Sequence, residues 1–136
     1  MPVTVYRLEG ENILVANFTG MVDSDLMLQM YEDSAAMLDD AQQALEPPIV
    51  RITDFRTVTS TPQAVLDAFM MATSDIPAST VDRRIRPVIV GDNKWSHLAQ
   101  RMLAKGQQKF EMPIFASMGE ALHHARVLLA RLKDGS

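Results

Sequence analysis

The side chains best suited to chemistry are few. Asp54 and Asp92 each follow an apolar stretch, IVRIT and RPVIV with its Gly91. A carboxylate pair of that kind could hold Mg²⁺ or carry acid–base chemistry. Nothing in the sequence fixes their separation, however, and no histidine or third carboxylate completes a constellation around both. Aspartates after strands ordinarily accept bonds from loop N–H groups. His123 and His124 are adjacent on one expected helix and point about 100° apart, so they are not the i, i+4 pair that grips a metal. Ser96 and His97 are neighbours in the chain, but a catalytic dyad is set by spatial geometry and not by adjacency. No Walker loop, nucleophile elbow or dinucleotide fingerprint is present. The chain has no cysteine, which removes disulfides, thiolate catalysis and cysteine-ligated metals together. These residues therefore predict a non-enzymatic chain with no catalytic group, metal site or cofactor.

Binding is the better expectation. In open α/β sheets, ligands favour the crevice at the carboxyl ends of the strands, and helix N-termini there can hold an anion. That edge is expected to gather Asp23, Ser24, Asp54, Thr57, Ser60, Thr61, Asp92, Asn93, Lys94 and Trp95. The same residue types also serve as ordinary helix caps. A second candidate surface is Phe69-Met70-Met71. Together with Val65 and Leu66 it gives one helix more apolar breadth than a single buried face needs, which suits a partner contact or an apolar cleft. There are ten methionines in 136 residues, and methionine fills irregular cores and adaptable binding surfaces alike.

The elements that must position these residues follow from periodicity. Residues 3–8 alternate apolar and polar, Gly10 supplies turn chemistry, and 13–18 resume an apolar strand, so a hairpin is predicted. A helix opens near Asp23 or Ser24 and carries Leu26, Met30, Met37, Ala41 and Leu45 at helical spacing, ending before Pro47-Pro48. Residues 49–53 form a third strand. Ser60-Thr61-Pro62 starts a second helix, since proline is pre-set for a first helical position. Residues 75–84 form a loop and 86–90 a fourth strand, with Pro87 where its missing N–H does no harm. A third helix carries Trp95, Leu98, Ala99, Met102 and Leu103, with Gly106 as C-cap. Residues 113–116 make a short fifth strand. Ser117 and Glu120 form a capping-box arrangement at the last helix, and a loose tail is expected from Lys133. The order is ββαβαβαβα: one α/β domain over residues 1–136, with a mixed, mostly parallel five-stranded sheet and four main helices.

Composition narrows the function classes. The formal net charge of −4 gives no basic field with which to neutralise phosphates, so nucleic-acid binding is not expected. Arg83, Arg84 and Arg86 suit a solvated strand edge that deters edge-to-edge pairing. No apolar run approaches the roughly 20 residues that cross a bilayer. The segment MPVTVYRLEGE lacks a basic region followed by an apolar stretch, so no signal peptide is expected and the cytoplasm is the default location.

Local signatures add to this order. The second strand ends in Phe18-Thr19-Gly20-Met21 and the third in Thr53-Asp54-Phe55-Arg56-Thr57-Val58. Val88-Ile89-Val90-Gly91-Asp92 closes the fourth, and Pro113-Ile114-Phe115-Ala116 precedes Glu120-Ala121. With these features the chain resembles the SpoIIAA-like family, whose fold is related to the STAS domains of anti-sigma-factor antagonists and anion-transporter tails. The resemblance implies a module acting by protein–protein contact, expected here as a homodimer through the segment from Thr57 to Met71. It also permits a second function, a carrier of a small apolar or lipid-like ligand in a cleft between helices and sheet. In antagonist-type STAS domains a serine after the third strand is phosphorylated. The matching position here is Pro62, which leaves Ser60 and Thr61 as the neighbouring hydroxyls that could accept a phosphate or simply cap the helix.

Overall fold

A computed structural model describes residues 3–72, 75–104 and 112–134. Within them the elements run β1 (Val3–Arg7), β2 (Ile13–Met21), α1 (Ser24–Asp39), β3 (Ile49–Thr59), α2 (Pro62–Ala72), β4 (Ile85–Val90), α3 (Lys94–Ala104), β5 (Ile114–Phe115) and α4 (Met118–Asp134). The five strands lie side by side in sequence order. β1 and β2 are antiparallel, and β2, β3, β4 and β5 are parallel to one another. The hairpin and the mostly parallel sheet are those expected from the sequence, and Gly10 turns the hairpin with φ +76°.

Sequence-order strands dictate the layers. Crossovers between parallel strands share one hand, so α1, α2 and α3 are delivered to the same face. Val3, Ala16 and Phe18 of the sheet pack there with Met27, Met30 and Tyr31 of α1 and Ala68 of α2. Ala99 of α3 joins Ile89 and Phe55 on that face. α4 follows the last strand and covers the opposite face, where Ala121 and Ala125 meet Val15, Val50, Ile52, Val88 and Val90. Each such buried Val or Ile contributes roughly 1.5–3 kcal/mol, and the two alanines let the helix approach the sheet closely.

Several boundaries differ from the sequence expectation. α1 ends at Asp39, well before Pro47. Asp40 is extended and its Oδ1 accepts from the Gln42 N–H at 2.9 Å, a local bond that competes with helix continuation. Leu45 is buried from a loop, against Leu14 and Ile49. β3 runs on to Thr59 because β2 continues through Met21 and offers backbone partners, after a register shift between Asn17 and Thr19. Thr57, Val58 and Thr59 are β-branched and favour that extension although they bury little. β5 is confined to Ile114 and Phe115, which pair with Ile89 and Val90. Pro87 therefore lies where β4 has a single strand neighbour. At the far end α4 includes Lys133, so this residue is helical and not part of a loose tail. Gly106 lies outside the described residues.

The connection between α2 and β4 is packed down. Ala78, Ser79 and Thr80 are all buried. Asp82 holds the loop together by accepting from the Ala78 N–H at 2.7 Å and from Arg84 Nη2 at 2.8 Å. Those bonds, opposed by partial burial, bring the Asp82 carboxyl down to about 2.

Candidate functional site

Most of the strand-end residues singled out in the sequence are engaged in local structure. Asp23 Oδ1 accepts from the Leu26 N–H at 3.0 Å and caps α1. Thr61 Oγ1 accepts from the Ala64 N–H at 3.2 Å and caps α2. Asn93 Oδ1 accepts from the backbones of Trp95 and Ser96 at 3.0 Å each and caps α3. Its Nδ2 donates to the Phe55 carbonyl at 3.1 Å and ties that cap to β3. Thr57 and Ser60 donate to the carbonyls of Phe18 and Val22. Lys94 Nζ lies 4.7 Å from the centre of the Trp95 ring.

Each carboxylate of the Asp54 and Asp92 pair is engaged by a neighbouring side chain. Asp54 is bracketed by Arg56, whose backbone N–H, Nε and Nη2 all donate to it at 2.8–3.0 Å. Burial alone would raise the Asp54 carboxyl, but the bonds from Arg56 outweigh it and hold the group below the usual carboxylate range. Asp92 is exposed and meets His97 Nε2 at 2.5 Å. Among the described residues no three His, Asp or Glu side chains gather where a metal ion could sit. His124 stacks obliquely on Phe115, with ring centres 5.0 Å apart.

An apolar concavity lies elsewhere, beneath α1, α2 and α3 and above the sheet. It is partly open to the surface and offers about 70 Å³, and its walls are almost entirely apolar. Met27, Met30, Phe55, Val65, Ala68 and Met112 are prominent among them. Of the predicted ligand set it takes only Ser60 and Trp95. Asp54, Thr57, Thr61, Asp92, Asn93 and Lys94 do not line it.

One wall residue is out of character. Arg51, the third residue of β3, is 1% exposed. Its Nη1 donates to the Ala78 carbonyl at 2.5 Å, and its guanidinium carbon lies 5.2 Å from the centre of the Tyr31 ring. The Tyr31 hydroxyl in turn meets Thr80 Oγ1 at 2.8 Å. Burial pulls the Arg51 pKa down, countered by Tyr31 and Asp82. Burial also raises that of Tyr31. A guanidinium remains charged in proteins all the same.

Two solved structures share this architecture over nearly its whole length. One is an uncharacterized protein of the DUF3478 family with a SpoIIAA-like fold from Shewanella loihica PV-4, at 17% identity and a TM-score of 0.59. The match covers 90% of this chain and 91% of that one. The other is the anti-sigma factor antagonist SpoIIAA in its unphosphorylated form, at 13% identity and a TM-score of 0.54, covering 91% of this chain and 97% of that one. The chain has a SpoIIAA-like fold. No protein-family model and no curated protein matches the sequence. Within this SpoIIAA-like fold the segment after β3 begins its helix at Pro62, with Ser60 and Thr61 bonded as described above.

Among the described residues no helix is long and apolar enough to cross a membrane. On α2, Leu66 and Met70 are 44% and 63% exposed. Met71, expected beside Met70 on a partner surface, instead packs against the core formed by Phe18, Met27 and Tyr31. The reason is helical geometry, since adjacent residues point about 100° apart. The Phe69 side chain lies outside the described residues.

Proposed function

We propose that this chain is a non-enzymatic binding module of the cytoplasm that carries a small, largely apolar ligand in the cavity beneath α1, α2 and α3. The observation supporting this is the cavity itself: about 70 Å³ of space with almost wholly apolar walls between the helices and the sheet. Protein interiors ordinarily leave few voids larger than a water molecule. An engineered apolar cavity of about 150 Å³ admits benzene, so this one accepts a few non-hydrogen atoms as it stands. Met27, Met30 and Met112 are unbranched and can rearrange to admit more. A native mass spectrum of the protein as purified from cells tests this. The expected result is an adduct that is lost on denaturation. A bare protein that also shows no amide shift on titration with a short-chain alcohol would remove the carrier function.

A second reading, contact with another copy of the chain, draws on the outward pair Leu66 and Met70, one helical turn apart on α2. The homodimer expected from the sequence would use this face. Phosphorylation of Thr61 would add charge beside it, at a helix N-terminus whose free N–H groups favour an anion. Light scattering on the wild type and on Met70→Glu tests the contact. A dimer that the glutamate dissociates supports it, and a wild-type monomer at working concentration removes it.

A further inference from the structure

Arg51 is the group that the fold does not explain. A guanidinium offers five N–H donors, and here one of them meets one carbonyl. Nε is fully buried and has no hydrogen-bond partner. The carboxylate nearest in influence, Asp82, is occupied by the Arg84 side chain and by the backbone N–H groups of Ala78 and Arg84. Among the described residues Arg51 therefore forms no salt bridge. A buried charge left without an opposite charge is strongly unfavourable, and the face of Tyr31 compensates only in part. Arg51 is also a wall of the apolar cavity, together with Thr53 two residues along the same strand.

We propose that the cavity's ligand is a small monocarboxylate, its apolar tail among the methionines and its carboxylate on Arg51. This deepens the carrier function proposed above and rests on it. Three features select the ligand. A guanidinium presents paired N–H donors in a planar fork that matches a carboxylate in a two-point contact. Walls that are otherwise apolar suit one compact anionic group with a hydrocarbon body better than a multiply charged phosphate ester. The volume sets the length, at roughly three non-hydrogen atoms before any side chain moves and a short chain such as butyrate once Met27, Met30 or Met112 gives way. The anion would supply the charge that Arg51 lacks, and desolvation inside the cavity would strengthen the pair.

Calorimetric titration at constant ionic strength with butyrate, 1-butanol and inorganic phosphate separates the possibilities. Butyrate is expected to bind at least ten times more tightly than 1-butanol, with no heat from phosphate. Arg51→Met should reduce butyrate to the level of 1-butanol and leave 1-butanol unchanged. Butanol binding as well as butyrate would overturn the carboxylate assignment while the carrier function stands. Binding of neither would overturn both. Tight phosphate binding would show that Arg51 serves a different anion and also overturn the assignment. Should the methionine variant fail to fold, the wild-type comparison of butyrate with 1-butanol decides alone.

Discussion

Filling the cavity is the sharpest test of whether it is a real void held open for a ligand. Ala68 lies on α2, is buried, and lines the space. Ala68→Leu adds three carbons in a residue with nearly the same helix propensity. An empty cavity of about 70 Å³ costs roughly 1.7 kcal/mol at about 24 cal/mol per Å³. If the leucine fills most of it without strain, unfolding free energy should rise by about 1 kcal/mol and Tm by roughly 3 °C for a chain of this size. The same substitution should abolish binding of short-chain carboxylates and alcohols. Urea denaturation and differential scanning calorimetry read the first effect, and calorimetric titration the second. Overpacking a core that is already full costs about 1–3 kcal/mol instead. A destabilised Ala68→Leu protein that still binds butyrate would refute the reasoning, because the ligand would then sit elsewhere and the space would not be available.

Three further perturbations probe the frame around the cavity. Gly91 has φ +119°, and a Cβ there would stand 3.0 Å from the backbone of Phe55 and Arg56, so Gly91→Ala should cost about 2–4 kcal/mol in urea denaturation. Thr61→Ala removes the cap of α2 and should cost about 1 kcal/mol, whereas Thr61→Asn should restore most of it by the same measurement. The folded pKa of Asp82 is depressed to about 2 from 3.8, so its contribution is complete above the ordinary carboxylate range and disappears as pH falls toward 2. After allowance for solvent screening, Asp82→Asn should lose about 1 kcal/mol at pH 7. Stability curves of mutant and wild type should converge below pH 3, and a constant offset would exclude the ionised form as the cause.

The architecture was legible because each element carried its own period and its own punctuation. Strand alternation around Gly10, the proline at the start of α2, and Ser117 with Glu120 before α4 all reappear in the structure. Ser117 Oγ accepts from the Glu120 N–H at 3.2 Å. What periodicity could not reveal was competition between local and tertiary bonds. The apolar spacing of Ala41 and Leu45 continues the α1 pattern, yet Asp40 turns the chain away and Leu45 reaches the core from a loop. Likewise Thr57-Val58-Thr59 bury too little to be recognised as strand, and their place is set by the backbone of β2.

The same blindness hid Arg51, although its signal was present. A parallel strand covered on both faces reads as a continuous apolar run, and IVRIT interrupts one with the residue type least often buried without a partner. In a hairpin strand with a solvated face, an arginine at that position would be unremarkable. Only the topology, with β3 between β2 and β4 and under α1, turns it into an anomaly. Its one carbonyl partner comes from Ala78, in a connection whose residues carry no periodic signal, so no spacing rule links the two. The rim residues were conspicuous in sequence because capping requires oxygen-bearing side chains at helix starts, and the structure uses Asp23, Thr61 and Asn93 for that purpose. A binding group with a purpose beyond folding is better sought where a residue breaks the rule of its own element. By that criterion Arg51 stands ahead of every residue at the strand ends.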